Sequence, residues 1–548
     1  MTVVLPTRAI LTALFFSLFP NVQAGVIELP ADVYQDRVRG AWAGQFFGRA
    51  YAAQSNLVTH SRLKSTPAGL PEVGTQSLFH VQLIFLKTLE KYGGTATRNH
   101  AAELFRGTEF PLAHASDTAR KNLRRGMLPA SAGHPRFNPH SDDHDFQSAA
   151  AVLGIIAPGA SDEVSRWCDL FGGMMSYGDG LYGGRFLAAI YSQAFLEKDV
   201  TPEAIERCLR TALPAVHAES AYAAVGRIVL EQYGRDRKDW QKARAAIWSQ
   251  WGERDLCPEG AQEPANFDAK LNGGFIMIGL LYGQGNIAQT LEITAGCGQQ
   301  VRENCAAAAG VLGTLLGFRE FCRGSGSDEA AFGAVQIGGQ SFLEIVRACE
   351  LVARKSQNSG ESGPLRFTRQ APAPPAELEQ MYAAFNRKQI MQWNKAASAV
   401  FFDKMPQWDA EWELVSCGFD GAPSVRSFQG KSPVLVTHPV DKVEPAILQR
   451  SVHVPLKNPR LLLTVASFPD SATDDKKTIA DWLLRVVADG KPILEKIIDT
   501  EDRWEDVTVD LTRYAGQTIV LSLENAPGGG QEYAYETAYW ARAKVVGE

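Results

Sequence analysis

From about Asp36 to Val352 apolar residues recur at three- and four-residue spacings, and strand-like alternation is scarce. That spacing is the period of an α-helix, so this stretch predicts an all-α domain of about a dozen helices. The clearest segments are 78–92, 148–156, 182–197, 202–213, 220–233, 239–251, 273–282, 287–295 and 305–318. Residues 305–317, CAAAAGVLGTLLG, are small and apolar nearly all round, which predicts a central helix against which other backbones approach closely.

Past about residue 401 the period shortens to two. SVHVPL, RLLLTVASF, WLLRVVADG, VTVDLT and TIVLSLENA are short β-rich runs split by Gly, Pro, Asn and Asp. Seven or eight such strands predict a β-sandwich of jelly-roll type. Between the two patterns lie SQNSGESGP and APAPP, too polar and proline-rich to bury a core, and then an amphipathic stretch at 376–397 that reads as one helix. The chain is thus expected to be multidomain: an all-α domain over 25–354, linker and helix over 355–400, and the sandwich over 401–548.

Residues 1–24 stand apart from both patterns. Arg8, an apolar run over 9–19 and the small-residue VQA ending at Ala24 have the layout of a signal peptide cleaved near Ala24. The run falls short of the roughly 20 residues a membrane span needs, and no later stretch is long enough. An exported protein, periplasmic or extracellular, is the expectation.

Composition narrows the partners. A net charge of −6, with 45% hydrophobic and 21% charged residues, gives no basic footprint for nucleic acid or an anionic membrane. A small-molecule glycoside or oligosaccharide fits better. The 8 cysteines include no CxxC pair, which predicts no zinc site and one or two disulfides at most.

Candidate chemistry sits in two stretches, HSDDHDFQ at 140–147 and SYGDGLYGGRFLAAIY at 176–191. The crowded carboxylates of Asp142, Asp143 and Asp145 repel, so one is expected to keep its proton as general acid while another stays ionised. Glycosidic cleavage needs such a pair, about 5–5.5 Å apart for retention or 6.5–9.5 Å for inversion. The same aspartates would also suit a helix N-terminus as caps. Asp179, on a glycine-rich turn, is a fourth candidate acid or else another cap, and Tyr177 and Tyr182 flank it on the substrate side. His140 and His144 flank the acidic cluster as proton carriers or as solvated loop residues. Asp268, Lys270 and Asn272, in FDAKLNGG, either reach a sugar hydroxyl or cap the helix that follows. Trp482, Trp504, Tyr533, Tyr535, Tyr539 and Trp540 offer rings for sugar stacking or for the sandwich core.

DRVRGAWAGQFFGRA (36–50), HPRFNPHSDDHDFQ (134–147), YGDGLYGGRFLAAIYSQAF (177–195) and NFDAKLNGGFIMIGLLYGQGN (266–286) resemble the ADP-ribosylglycohydrolase family, and its exported bacterial branch in particular. The resemblance runs from about Asp36 to Phe318. It implies an all-α orthogonal bundle that hydrolyses a glycosidic bond to ribose or a similar sugar, usually with two magnesium ions. The family holds those ions with an early Asp-Asp pair and a late Asp-x-Asp pair. Here the aligned positions read Val73-Gly74-Thr75 and Gln300-Val301-Arg302, so the metal acids are missing, no magnesium is expected and no cofactor is called for. Arg302 would put a cation where metal sat, or pair with Glu303, and Asn304 survives from the late motif to bind ligand or backbone. The resulting expectation is an exported hydrolase of a saccharide or nucleoside-like substrate that works with aspartates. A pseudoenzyme that binds without turnover is the alternative, and a third possibility leaves binding to the sandwich.

Overall fold

The computed structural model describes residues 25–54, 67, 70–112, 114–124, 127–135, 137–138, 140–252, 267–356, 362–375, 405–418, 423–439, 445–468, 481–500, 503–527 and 535–547. The expected signal peptide and the expected helix at 376–397 lie outside these residues. The chain divides into two compact units, with the change near residue 384.

The first unit is helical, with 18 α-helices among its described residues. The excess over a dozen comes from short pieces such as Pro129–Ala132 and Glu329–Phe332. Local signals set many boundaries. Thr201 accepts the amide of Ala204 at the start of Pro202–Ala212, Ser220 that of Ala223 at Ala221–Arg235, and Asp239 that of Lys242 at Trp240–Trp251. Gly93, at φ +54°, ends Ser77–Tyr92. The single helix expected over 148–156 is instead two, Asp145–Ala149 and Ala151–Ile155, and both pack on Asp179–Ala194.

At the centre, Ala31–Gln54 packs against Val301–Leu316 with backbones in contact. A methyl group on Gly40, Gly44 or Gly48 would land on the carbonyl oxygens of Gly313, Ala309 and Cys305. Glycine at every fourth position therefore lets the two helices close up, as the small-residue pattern of 305–317 predicted from one side. The approach brings Arg49, near the end of one helix, to Glu303, in the first turn of the other.

One expectation fails at the edge of this unit. Leu365–Arg369, inside the expected linker, is a strand that pairs antiparallel with Gly25–Leu29 over all five residues. Leu365 and Phe367 alternate inward and are buried, a period hidden between the polar runs on either side. The helical unit therefore reaches past 354.

The second unit holds two five-stranded antiparallel sheets. One runs Lys491–Ile498, Trp482–Ala488, Thr518–Ala526, Ala446–His453, Glu413–Ser416, and the other Glu505–Asp510, Arg460–Ala466, Ala538–Val546, Lys431–Thr437, Ser424–Phe428. Both contribute to one apolar core, in which Trp482 of the first and Trp540 of the second lie 5.1 Å apart. This is the expected sandwich, with ten strands among the described residues rather than seven or eight. Trp482, Tyr539 and Trp540 are core residues and offer no face to a sugar. Trp504 and Tyr535 are half-buried, and Tyr533 lies outside the described residues.

Seven cysteines, all but Cys257, fall among the described residues, and each is a buried free thiol. Burial pushes that of Cys349 up to about 12. No helix among the described residues is long and apolar enough to cross a membrane.

Candidate active site

The acidic stretch 141–145 is clamped from two sides by backbone. Asp143 and Asp268 form an isolated antiparallel bridge, His144 N–H donates to Phe267 O at 2.7 Å, and Ala269 N–H donates to Asp142 O at 3.1 Å. From the other side Tyr177 N–H donates to Ser141 O at 2.8 Å, and Gly180 packs so closely that a methyl group there would strike the same oxygen. Of the glycines around Asp179 only Gly178, at φ +53°, makes the turn; the others lie in Asp179–Ala194, where they admit neighbouring chain. Buried Asn138 completes the frame, donating to Ala115 O and Met175 O at 3.0 and 3.1 Å.

The frame distributes the carboxylates to different tasks. Asp142 and Asp143 are buried. The Asp143 Oδ2 atom lies 3.2 Å from His114 Nδ1 and 3.1 Å from His140 Nδ1, and the two nitrogens are 3.4 Å apart. Asp145 opens its helix and accepts the Ser116 amide at 3.2 Å. Burial pushes its carboxyl above the usual range, with Asp143 adding to the rise and His144 and His114 opposing it. Asp179 is buried and accepts the Tyr222 amide at 3.1 Å, so it caps the neighbouring helix Ala221–Arg235. Tyr222 in turn donates to Gln147 Oε1 at 2.7 Å.

Asp268, Lys270, Asn272 and Asn304 join two helices from within. Asp268 pairs with buried Lys270 and accepts Leu271 N–H at 3.0 Å, capping Ala269–Gly283. Asn272 Oδ1 accepts from Asn304 Nδ2 at 2.8 Å and from Gln300 N–H at 3.2 Å, tying that helix to the start of Val301–Leu316. Tyr182 is buried, and half-buried Tyr177 meets the ring of His134 edge-on at 5.2 Å.

A cavity of about 90 Å³ opens beside this frame. Its lining mixes apolar side chains, among them Leu78, Val81 and Phe267, with polar ones that include His114, His144, Asp145, Gln300 and Glu303. Of the sequence candidates, His144 and Asp145 line it. Phe267 carries an imidazole on its ring, His114 at 3.4 Å between centroids, and lies parallel to His144 at 5.6 Å.

Three participants escape a linear reading. Glu303 lies 2.5 Å from Arg49 Nη1, and Arg49 Nη2 donates to Gln76 Oε1 at 2.6 Å. Burial alone would raise the Glu303 carboxyl; Arg49 and then His144 more than offset it and hold it below the ordinary value. The cation expected at Arg302 is therefore supplied by Arg49, while Arg302 itself is exposed. The third is His114, whose backbone sits in the left-handed region at φ +47°. A histidine 26 residues before His140 carries no signal by itself.

The profile of the ADP-ribosylglycohydrolase family matches residues 30–323, more than half of the chain. The chain belongs to the ADP-ribosylglycohydrolase family. An uncharacterized protein of Archaeoglobus fulgidus is 25% identical over 120 residues, an alignment covering 20% of this chain and 30% of that one. Among solved structures, an ADP-ribosylglycohydrolase-related protein complex is similar over 59% of this chain and 99% of its own, with 15% identity and a TM-score of 0.41. A family 115 4-O-methyl-α-glucuronidase matches 71% of this chain and 42% of its own, at 10% identity and a TM-score of 0.16.

Membership raises the question of the magnesium pair that the ADP-ribosylglycohydrolase resemblance implies. The early segment here presents buried Val73, Gly74 packed beneath Gln336 O, and exposed Thr75, whose hydroxyl donates to Glu72 O at 2.8 Å. In the late segment Glu303 is already matched by a guanidinium. Magnesium binds hard oxygen ligands, usually including carboxylates. This donor set does not fit the ion pair.

Proposed function

We propose that the chain is an exported hydrolase of a glycosidic bond in a saccharide or nucleoside-like substrate, and that Asp145 and Glu303 are its two acids. One observation carries this reading: both carboxylates line one cavity, together with apolar Leu78, Val81 and Phe267. Their partners divide the labour. Glu303, matched by Arg49, stays anionic and suits the charge that develops on a sugar ring as its bond to the leaving group breaks. Asp145, which accepts one long amide hydrogen bond, suits the proton donor to the leaving oxygen. The rings of His114, His144 and Phe267 stack on one another beside these acids and add flat apolar surface to the lining. At about 90 Å³ the cavity is small beside ligand pockets of roughly 300–1,000 Å³, which favours one terminal sugar ring over an internal stretch of polymer.

The catalytic roles first considered for Asp142, Asp143 and Asp179 are thereby given to positioning. A binding function without turnover is the second reading, favoured by the burial of those three acids in backbone contacts. A panel of aryl glycosides and nucleosides, assayed in magnesium-free buffer with the full chain, separates the two. Turnover that falls by about 10²–10⁴ in Asp145→Asn and Glu303→Gln supports the hydrolase. Saturable binding with no turnover on any member of the panel would favour the binder.

A further inference from the structure

The three atoms His114 Nδ1, His140 Nδ1 and Asp143 Oδ2 form a nearly equilateral triangle with sides of 3.1, 3.2 and 3.4 Å. Hydrogen bonding explains this poorly. Both imidazoles would have to aim an N–H at the same carboxylate oxygen, which brings the two donors together. Two such bonds to one oxygen leave the nitrogens 3.4 Å apart as donor against donor. A cation at the centre satisfies all three at once. Zinc binds histidine nitrogen and carboxylate oxygen at about 2.0–2.2 Å with tetrahedral angles, which sets neighbouring ligand atoms about 3.3–3.6 Å apart. The sides observed lie at or just under that spacing.

The surroundings agree. Asp143 is wholly buried, and all three groups are metal-ligating types. The ligands are held from outside, Asp143 by its bridge to Asp268 and His114 by the Phe267 ring. His114 keeps a left-handed backbone at φ +47°, a conformation that costs a non-glycine residue of order 1 kcal/mol or more and that clusters at functional sites.

We propose that His114, His140 and Asp143 bind one divalent first-row transition-metal ion, with zinc as the probe, and leave a fourth position to water. Nitrogen-rich ligands suit zinc and exclude the hard magnesium ion, so this is a different kind of centre from the dimagnesium pair. Because His114 also lines the cavity, the ion belongs to its wall. There it would lower the pKa of bound water toward about 7 and supply hydroxide. That last role rests on the hydrolase reading; the binding site does not.

The test is metal content. Chelator-stripped full-length protein is dialysed against micromolar zinc, or separately against magnesium, and bound metal is counted per chain. One zinc and no magnesium is expected, with a thermal midpoint that rises with zinc. His114→Ala and Asp143→Asn should each weaken zinc at least about 100-fold, more than typical losses from outer-shell changes, while Asp145→Asn holds it within about threefold. Wild-type protein that takes up no zinc, or variants that keep it, would overturn the site, and the first result needs no variant to fold. Glycoside turnover without zinc uptake would sink this centre and leave the hydrolase standing. Zinc uptake without turnover on the panel would do the reverse.

Discussion

Arg49 reaches across 254 residues of chain to place its guanidinium 2.5 Å from the carboxylate of Glu303. The contact joins the two helices whose glycine-lined backbones touch, and the side chains are only 11% and 19% exposed. Removing one member of a buried pair leaves the other charge uncompensated, which costs about 3–5 kcal/mol. Arg49→Met should therefore lose about 3 kcal/mol in urea unfolding near pH 7. The folded Glu303 carboxyl lies below its unfolded value of about 4.3, so its contribution is present above that value. It fades as pH falls through the folded value. The gap between wild type and Arg49→Met should shrink as pH is lowered progressively below the unfolded value; an unchanged gap would mean that the pair is not its source.

The central helix crossing allows no side chain at Gly44, where a methyl would meet Ala309 O. Gly44→Ala should cost about 3 kcal/mol or more, since neither backbone can move aside. Gly94, with nothing within 4 Å of an added methyl, is the control. Gly94→Ala should stay within about 0.5 kcal/mol. Thermal denaturation of the two variants reads the difference, and equal losses would contradict the close packing.

Asp179 and Asp145 should part company under mutation. Asp179→Ala removes an acceptor for the Tyr222 amide and should cost about 1–2 kcal/mol of stability, with kcat/KM of the folded fraction nearly intact. Asp145→Asn should do the opposite, lowering kcat with little change in melting temperature. Loss of kcat in Asp179→Ala at full stability would return Asp179 to the chemistry.

Asn272 accepts hydrogen bonds from two neighbours at the start of Val301–Leu316. Asn272→Ala leaves both donors without that acceptor and should cost about 1–3 kcal/mol. Hydrogen exchange should quicken at Gln300 and Asn304 ahead of the rest of the helix. Uniform protection there would show that the tie is dispensable.

In the second unit, Trp540→Ala empties the space beside Trp482 and should cost about 3–5 kcal/mol. A variant that lost sugar affinity at full stability would instead restore the stacking role.

Much of the fold was legible because each unit repeats one backbone period. The helical stretch shows in the three- and four-residue recurrence of buried positions, as in Ser77–Tyr92, where Leu78, Val81, Phe85 and Leu89 face inward. The strand at Leu365–Arg369 was not legible, because five residues between polar runs carry too little period to distinguish them from linker. The site was legible as an acidic stretch, but its division of labour was not. Whether Asp145 or Asp179 faces a cavity depends on where the amides that claim each carboxylate, those of Ser116 and Tyr222, come from, and both belong to other elements.

The sequence by itself determined a helical unit, a following sandwich and the family motifs, because periodicity and short-range glycine and capping patterns are properties of neighbouring residues. Only the tertiary structure decided that Glu303 meets Arg49 instead of Arg302, and that His114 joins His140 and Asp143. Those pairings span tens to hundreds of residues, and nothing local encodes them. They arise when helices close on one another and the few polar groups caught inside must find partners there.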